Sequence, residues 1–371
     1  MHSFRLGSIF GIEIRIDASW FIIFLLLLWT FSQGVFPAEV EGRARWLYWA
    51  MGLAATLLFF ASLLAHELSH SLVARRHGVV VEGITLFLFG GMARTRTDAY
   101  SPGDEFVIAG VGPLSSLVIA LLFGAVYEIS HRLQLGHVLP ALARDLGQVN
   151  VSLAVFNLLP GFPLDGGRLL RSAVWKFTGS LRRATRVAAL GGMLLALALI
   201  GVGIWRATQA DWLNGIWLAL IGLFLQNASR MSVRLVERET AFTEARARTV
   251  MQNAPATVPP DESVERFLGR PLHDQPAWPV VAADGGLLGL VTASQALAVP
   301  EAERARRTIA DIMIPISPEL QVDPDDPLPE VFRKLGRGVP VLVVRDGRLA
   351  GLVGREHVGR WERRAGRGRQ P

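Results

Sequence analysis

The chain has 371 residues, 51% of them apolar, with no cysteine and a formal net charge of +6. That length leaves room for two or three domains, and the apolar excess excludes an ordinary soluble composition. The missing cysteines exclude a disulfide framework and any thiolate metal site, so a metal would have to be held by His, Asp or Glu. Arginine supplies nearly all the positive charge, the lysines being Lys176 and Lys334. It flanks apolar runs instead of forming one basic stripe. This reads as a topology signal and as contact with membrane lipids, not as a nucleic-acid surface.

At the N-terminus, Ile12, Ile14 and Ile16 alternate with Glu13, Arg15 and Asp17. The alternation predicts a half-buried strand after a turn between Gly7 and Gly11. No secretory signal pattern precedes it, so the first apolar span, about 19–36, is expected to be retained. A polar loop with Glu39, Glu41, Arg43 and Arg45 leads to a second span, about 46–73.

The second span carries His66-Glu67-Leu68-Ser69-His70 near its end. On a helix the two histidines fall at i and i+4 on one face, a spacing that lets two imidazoles grip one zinc with the glutamate beside it. The bland alternative is a helix end with a salt-bridged glutamate and two incidental histidines. Three ionisable residues in five positions deep in an apolar span count against it, because such residues are costly in a membrane. Arg75 and Arg76 mark the interface, which puts the motif roughly 8–10 Å inside it at about 1.5 Å per residue.

Residues 79–96 do not carry a helical pattern. Val79–Val81 and Ile84–Phe89, followed by Gly90 and Gly91, predict two short β runs in a hairpin that dips into the membrane, where protein or a water-filled cavity must satisfy its backbone. The alternative is an apolar loop covering the span ends. A third span, about 106–129, opens with Gly110-Val111-Gly112-Pro113, small residues that allow close helix packing and a proline expected to bend or break the first turn. A fourth, about 146–159, is short and polar, with Gln148, Asn150 and Asn157, and ends in Pro160–Arg168. Spans five (about 187–204) and six (about 212–225) follow. Basic residues are heavier in the loops after spans two and four, so six spans place both termini in the cytoplasm.

From about Arg230 the chain turns soluble and repeats itself. Val250-Met251 recurs as Ile312-Met313, Val258–Asp261 as Val322–Asp325, and Pro279–Val291 as Pro340–Val353, a period of about 62 residues. Such a repeat is read as a unit: a helix, a hairpin with an Asp-Gly turn and a second helix.

Two histidines leave a catalytic zinc one protein ligand short. Asp165 is the best third candidate, since it follows span four on the same side of the membrane as His70. Taken alone, it could equally be a helix N-cap before Gly166-Gly167.

The His66–His70 motif, the Asn157–Arg168 segment N-L-L-P-G-F-P-L-D-G-G-R and the repeat together resemble the site-2 protease family of intramembrane zinc metalloproteases, in the subgroup with a C-terminal pair of CBS domains. The resemblance implies a polytopic α-helical membrane protein of about six spans, with a short N-terminal β element and a re-entrant β-hairpin, plus an α+β tandem CBS module. The implied division is 1–230 for the transmembrane metalloprotease domain and 231–248 for a linker helix. The two CBS domains would occupy 249–308 and 309–371, the second with a basic tail. It also implies one zinc per chain bound by His66, His70 and Asp165, with Glu67 as general base. The substrate would be a single-span membrane protein, such as an anti-sigma factor, cut within its transmembrane segment in regulated intramembrane proteolysis at the cytoplasmic membrane. Asn157 matches a family position near the site. Relatives often carry Asn at Ser116, so no polar role is expected of the serine.

CBS pairs often bind adenine nucleotides through a Thr/Ser-x-x-Asp segment. Here the segments read Thr292-Ala293-Ser294-Gln295 and Gly354-Arg355-Glu356-His357, both without the Asp. That counts against a nucleotide and leaves a structural or homodimerising role. His273 and His357 are expected at the surface. The competing functions are a CBS-regulated transporter or channel with a structural metal site, and a proteolytically dead scaffold; the intact motif with a third ligand counts against the scaffold.

Overall fold

The alternation at the N-terminus folds as a strand pair that begins earlier than expected. In the computed structural model, which describes residues 3–95, 101–272, 275–336 and 338–367, β1 (Ser3–Ile9) pairs antiparallel with β2 (Ile12–Asp17). The turn is made by Phe10 and Gly11, both at positive φ. The chain divides into two compact units between Arg234 and Leu235.

In the first unit, α1 (Trp20–Trp29), a π-helical stretch (Thr30–Val35) and α2 (Phe36–Glu39) form one run. α3 (Arg45–Arg76) follows and stops before Gly78, whose φ of 80° suits glycine. Next come β3 (Val81–Phe87) and β4 (Gly90–Thr95). The two β runs expected at 79–89 therefore merge largely into β3, and the second strand begins at the glycines. β3 pairs parallel with β2 and antiparallel with β4, giving the order β1-β2-β3-β4. Ile12 and Ile14 of β2 pack with Ile84 and Leu86 of β3 against Phe60 and Leu63 of α3.

The remaining helices are α4 (Pro102–Arg132), α5 (Val138–Asn157), α6 (Asp165–Thr178), α7 (Leu181–Thr208) and α8 (Trp212–Glu244). Pro113 neither breaks nor opens its helix: α4 starts a full three turns earlier, and the proline sits inside it. A missing N–H at that point leaves one carbonyl without its helical partner, which a long helix packed on its neighbours tolerates. α8 continues to Glu244, through most of the 231–248 stretch expected as a linker helix. Among the described residues five helices are long and apolar enough to cross a membrane: Trp20–Glu39, α3, α4, α7 and α8. α5, the expected fourth span, is not one of them; it carries Arg144, Asp145, Gln148 and Asn150. α7 and α8 close on each other through glycine, since a Cβ on Gly203 would lie 2.6 Å from the Gly215 carbonyl oxygen.

The second unit holds α9 (Ala247–Val250), β5 (Gln252–Asn253), α10 (Val264–Leu268), β6 (Trp278–Val281), β7 (Leu287–Val291) and α11 (Ala293–Leu297) in the first repeat. The second has β8 (Ile314–Pro315), β9 (Gln321–Val322), α12 (Leu328–Leu335), β10 (Val341–Arg345), β11 (Arg348–Val353) and α13 (Arg355–Arg367). The sheet orders are β6-β7-β8 and β5-β11-β10-β9. Each repeat thus lends its opening strand to the other's sheet: β5 pairs with β11, and β8 with β7. Leu290 and Ala277 of one repeat share a core with Leu320, Leu342 and Leu352 of the other.

Candidate metal centre

Helical period places His66 and His70 one turn apart on α3, both buried. Asp165 is the first residue of α6, whose N-cap is Leu164, and is buried as well. Its carboxylate does not cap the helix. Asp165 Oδ2 lies 3.1 Å from Nε2 of His66 and 3.1 Å from Nε2 of His70, and the two Nε2 atoms are 3.2 Å apart. A tetrahedral zinc with ligands at about 2.0–2.1 Å sets its ligand atoms roughly 3.3 Å apart. Two nitrogens and an oxygen in a triangle of that edge fit a zinc ion, and they are the one His/Asp/Glu group of this kind among the described residues.

The imidazoles are held from behind by α4. His70 Nδ1 donates to the Ile108 carbonyl oxygen at 2.6 Å, which fixes its tautomer with the Nε2 lone pair facing the triangle. His66 Nδ1 lies 2.9 Å from Ser116 Oγ, and Ser116 is fully buried. The serine therefore does have a polar role, bonding His66, contrary to the expectation from sequence. Between these contacts Gly112 makes the room: a Cβ there would lie 2.1 Å from His70 Nε2 and 2.8 Å from His66 Nε2. Ile108, Gly112 and Ser116 fall four residues apart on one face of α4.

The same face begins with Glu105, which is fully buried in the first turn of α4. Its Oε1 accepts from Arg171 Nε of α6 at 2.5 Å, and Arg168 Nε is 3.9 Å away. The Arg171 guanidinium also lies over the Phe162 ring at 5.2 Å. This pair ties the helix that starts with Asp165 to the helix that backs the histidines. Sequence reading missed it; the signal was a lone glutamate opening an apolar span opposite two arginines after Asp165.

The Pro160–Leu164 loop that delivers Asp165 is packed on backbone. Phe162 N–H donates to the Ala188 carbonyl oxygen, and the Phe162 carbonyl oxygen accepts from Ser229 Oγ at 2.6 Å. A Cβ on Gly192 would lie 2.0 Å from the Phe162 oxygen, and one on Gly166 would lie 2.2 Å from the Leu158 oxygen.

Glu67 is half-buried on the adjoining face of α3, and β4 crosses it. A Cβ on Gly91 would lie 2.4 Å from Glu67 Cγ. At the hairpin tip Phe89 stacks on Phe224 of α8 with centroids 4.3 Å apart, and Leu88 N–H donates to Ser19 Oγ. The hairpin thus reaches the apolar side chains of a span, as expected of a re-entrant element. Asn157 donates to the Leu153 carbonyl oxygen within its own helix.

The second unit holds no expected metal ligand. His273 lies outside the described residues. His357 is buried, not at the surface: its Nδ1 accepts from Gly354 N–H at 2.9 Å and so caps α13. Gln295 closes the matching cap in the first repeat, in a capping box with Thr292. A cleft of about 360 Å³ lies beside both caps, lined by Thr292, Ser294, Pro340, Arg355 and Glu356 among others.

A buried His-His-Asp triangle beside helices of membrane length has the donor set of a membrane metal site. Two stretches, 54–138 and 126–199, match Peptidase family M50, and 247–301 and 309–361 each match the CBS domain. A relative from Mycobacterium tuberculosis, Rip3, assigned as a zinc metalloprotease, is 35% identical over 94% of this chain and 90% of its own length. A zinc metalloprotease of Methanocaldococcus jannaschii is 31% identical over 96% and 95% of the two chains. The solved site-2 protease of the same archaeon is similar at 29% identity, covering 62% of this chain and 95% of that one with a TM-score of 0.44. The chain belongs to peptidase family M50, the site-2 protease family of zinc metalloproteases, and carries a tandem CBS module.

Proposed function

We propose that the protein hydrolyses a peptide bond within the transmembrane segment of a single-span membrane protein, with His66, His70 and Asp165 holding the zinc and Glu67 acting as general base. The observation that carries this reading is the meeting of Glu67 with Gly91 on β4, a strand bonded on one side by β3 and on the other by no described residue. Zinc, when bound, supplies Lewis acidity that polarises a carbonyl and acidifies water. Every other task falls to the chain. Ile108 and Ser116 hold the imidazoles, and the Pro160–Leu164 loop presents the carboxylate. Glu67 takes a proton from water and returns it to the leaving amine. A helical substrate hides its carbonyls in its own hydrogen bonds, so it must unwind first. The unwound stretch adds as a fifth strand to the outer edge of β4, with glycine at 91 keeping that strand close to Glu67.

The basic residues after α3 and α5 support a cytoplasmic-side site in the cell membrane, with both termini in the cytoplasm and arginines against lipid headgroups. Residues 1–230 then form the protease domain, 231–248 the linker, and 249–308 and 309–371 the CBS pair. With Gln295 and His357 spent on helix caps, the pair serves as a structural or dimerising input to regulated proteolysis of a substrate such as an anti-sigma factor, and it does not grip a ribose.

The test is co-expression with candidate single-span proteins. Glu67→Gln is expected to leave them uncut while zinc stays bound, and Leu86→Pro or Leu88→Pro to impair cleavage with zinc content unchanged. Equal cleavage by Glu67→Gln and wild type would refute the mechanism.

A further inference from the structure

The four-stranded sheet has two unlike faces. Ile12, Ile14, Ile84 and Leu86 face α3, and their cross-strand neighbours Ala93 and Gly91 share that side. On the other side the register aligns Arg5 with Arg15, Glu13 with Gly83, Arg15 with Thr85, Gly83 with Arg94 and Thr85 with Met92. Three guanidiniums gather there around one carboxylate. Arg5 Nε is 3.1 Å from Glu13, Arg15 Nε 3.2 Å and Arg94 Nη2 3.4 Å. Arg94 lies farthest from Glu13 of the three, and its buried Nε, like that of Arg15, has no hydrogen-bond partner among the described residues. A guanidinium nitrogen left so is costly unless an acceptor reaches it. Arg94 also stands on β4, whose outer edge pairs with no described residue, three residues from Gly91.

We propose that Arg94, backed by Arg5, Arg15 and Glu13, is an anion subsite that selects an acidic side chain in the substrate strand. The inference rests on strand addition to β4. A residue paired with Arg94 would bring its Cβ within about 4.5–5.5 Å of the arginine's. Successive side chains alternate, and strands rise about 3.3 Å per residue. The residue opposite Gly91 therefore sits roughly 10 Å along the strand on the Glu67 side, while the residue opposite Arg94 points to the arginines. The hairpin tip packs on the apolar residues of α8, so Arg94, near the base, lies towards the polar boundary. The favoured substrate has an Asp or Glu on the boundary flank of its unwound segment, three residues from the one opposite Gly91. An arginine presents donors to a carboxylate in a fork that lysine or a neutral amide cannot match.

The experiment co-expresses the full-length protein with a library of single-span segments, randomised across the half of the apolar segment nearest the cytoplasm and its flank. Cut clones are those spared by Glu67→Gln. Wild type is expected to enrich Asp and Glu at one position by about fivefold over Asn and Gln, the order of one partly exposed ion pair. Arg94→Glu is expected to enrich Lys and Arg at that same position, and Arg94→Lys to keep a weaker acidic preference. Identical sequence profiles for wild type and Arg94→Glu overturn the proposal, whatever the overall rates. Proline must also be excluded beside the selected position. If proline is tolerated there, strand addition falls and the subsite with it; if proline is excluded but charge is neutral, the subsite alone falls. A library with no clone cut by wild type overturns the protease reading itself. In a second arm one cut acidic clone and its Asn or Gln counterpart are digested by purified wild type and Arg94→Glu in phosphatidylcholine vesicles and in phosphatidylglycerol-rich vesicles. A charge preference equal in both supports the subsite, whereas an Arg94→Glu effect confined to the anionic vesicles assigns the cluster to lipid headgroups and overturns it.

Discussion

The two halves of the proposed metal site are built on different principles. His66 and His70 come from one straight helix, and their alignment follows from 3.6 residues per turn. Asp165 opens α6 directly after a turn whose position is set by contacts with α7 and α8, through Phe162, Ala188, Gly192 and Ser229. The helical half needs only to be given room and the right tautomer, both supplied by α4. The loop half has no local rule to hold it, and glycine backbones pressed against carbonyls do so instead. A ligand set by secondary structure tolerates change around it, except where a side chain would enter the triangle. A ligand set by tertiary packing responds to distant changes.

The sharpest test of that contrast is Gly112→Ala. The new methyl would overlap both Nε2 atoms, and we expect loss of bound zinc and of measurable cleavage, with α3 and α4 still helical by circular dichroism. Retention of stoichiometric zinc in that variant would break the account of α4 as the backing of the site. Gly192→Ala, far from any ligand, is expected to shift the Phe162 loop and weaken zinc by about 10–100-fold, the range seen when support behind a ligand is lost. Both imidazoles remain in place, so zinc should still load at high concentration, as measured by competition with a chelator. Ser116→Ala removes one hydrogen bond from His66, and the loss should fall near the lower end of that range, about tenfold. Ser116→Asn, which restores an oxygen acceptor, should recover most of it.

The smallest expected effect lies in the second unit. Burial, the largest cause, pushes His357 below the ordinary imidazole range; nearby Glu356 opposes the shift and Arg360 adds to it. Its neutral Nδ1 caps α13. As pH falls below about 6.5 the unfolded state takes up this proton before the folded one does. The stabilisation is therefore complete above that pH and declines as pH drops through the lower folded value. Hydrogen-exchange protection of α13 in the full chain should fall on acidification in wild type, and the drop should shrink in His357→Asn. The histidine half of the metal site should show no comparable change in His357→Asn.

Much of the molecule could be read without the structure. The strand at 12–17 and the motif helix follow from periodicity, because apolar residues at period 2 or 3.6 specify a buried face locally. Five of the six expected spans follow from apolar run length and the repeat from recurring phrases, while 146–159 falls largely in α5, which is not among the membrane-length helices. Asp165 was reachable as a candidate, but not distinguishable from an N-cap by spacing alone. Pro113 misled because helix breaking is a local tendency that packing overrides. His357 misled because a polar residue in a basic helix looks exposed until its ring is seen to cap the turn. Glu105 and Arg171, sixty-six residues apart, have no short-range pattern connecting them.

The amino-acid sequence by itself determined which side chains could share a helix face, where the chain must be apolar, and that one zinc-type motif sits below an arginine boundary. Tertiary structure alone decided that α4 would stand behind both histidines, that the loop after α5 would turn the Asp165 carboxylate to them, and that β4 would lie across Glu67 with its outer edge unpaired among the described residues. The repeats exchange β5 and β8 for the same reason. Local periodicity fixes the direction of side chains within an element, whereas the meeting of elements depends on glycine-scale clearances and paired charges between segments far apart in the chain.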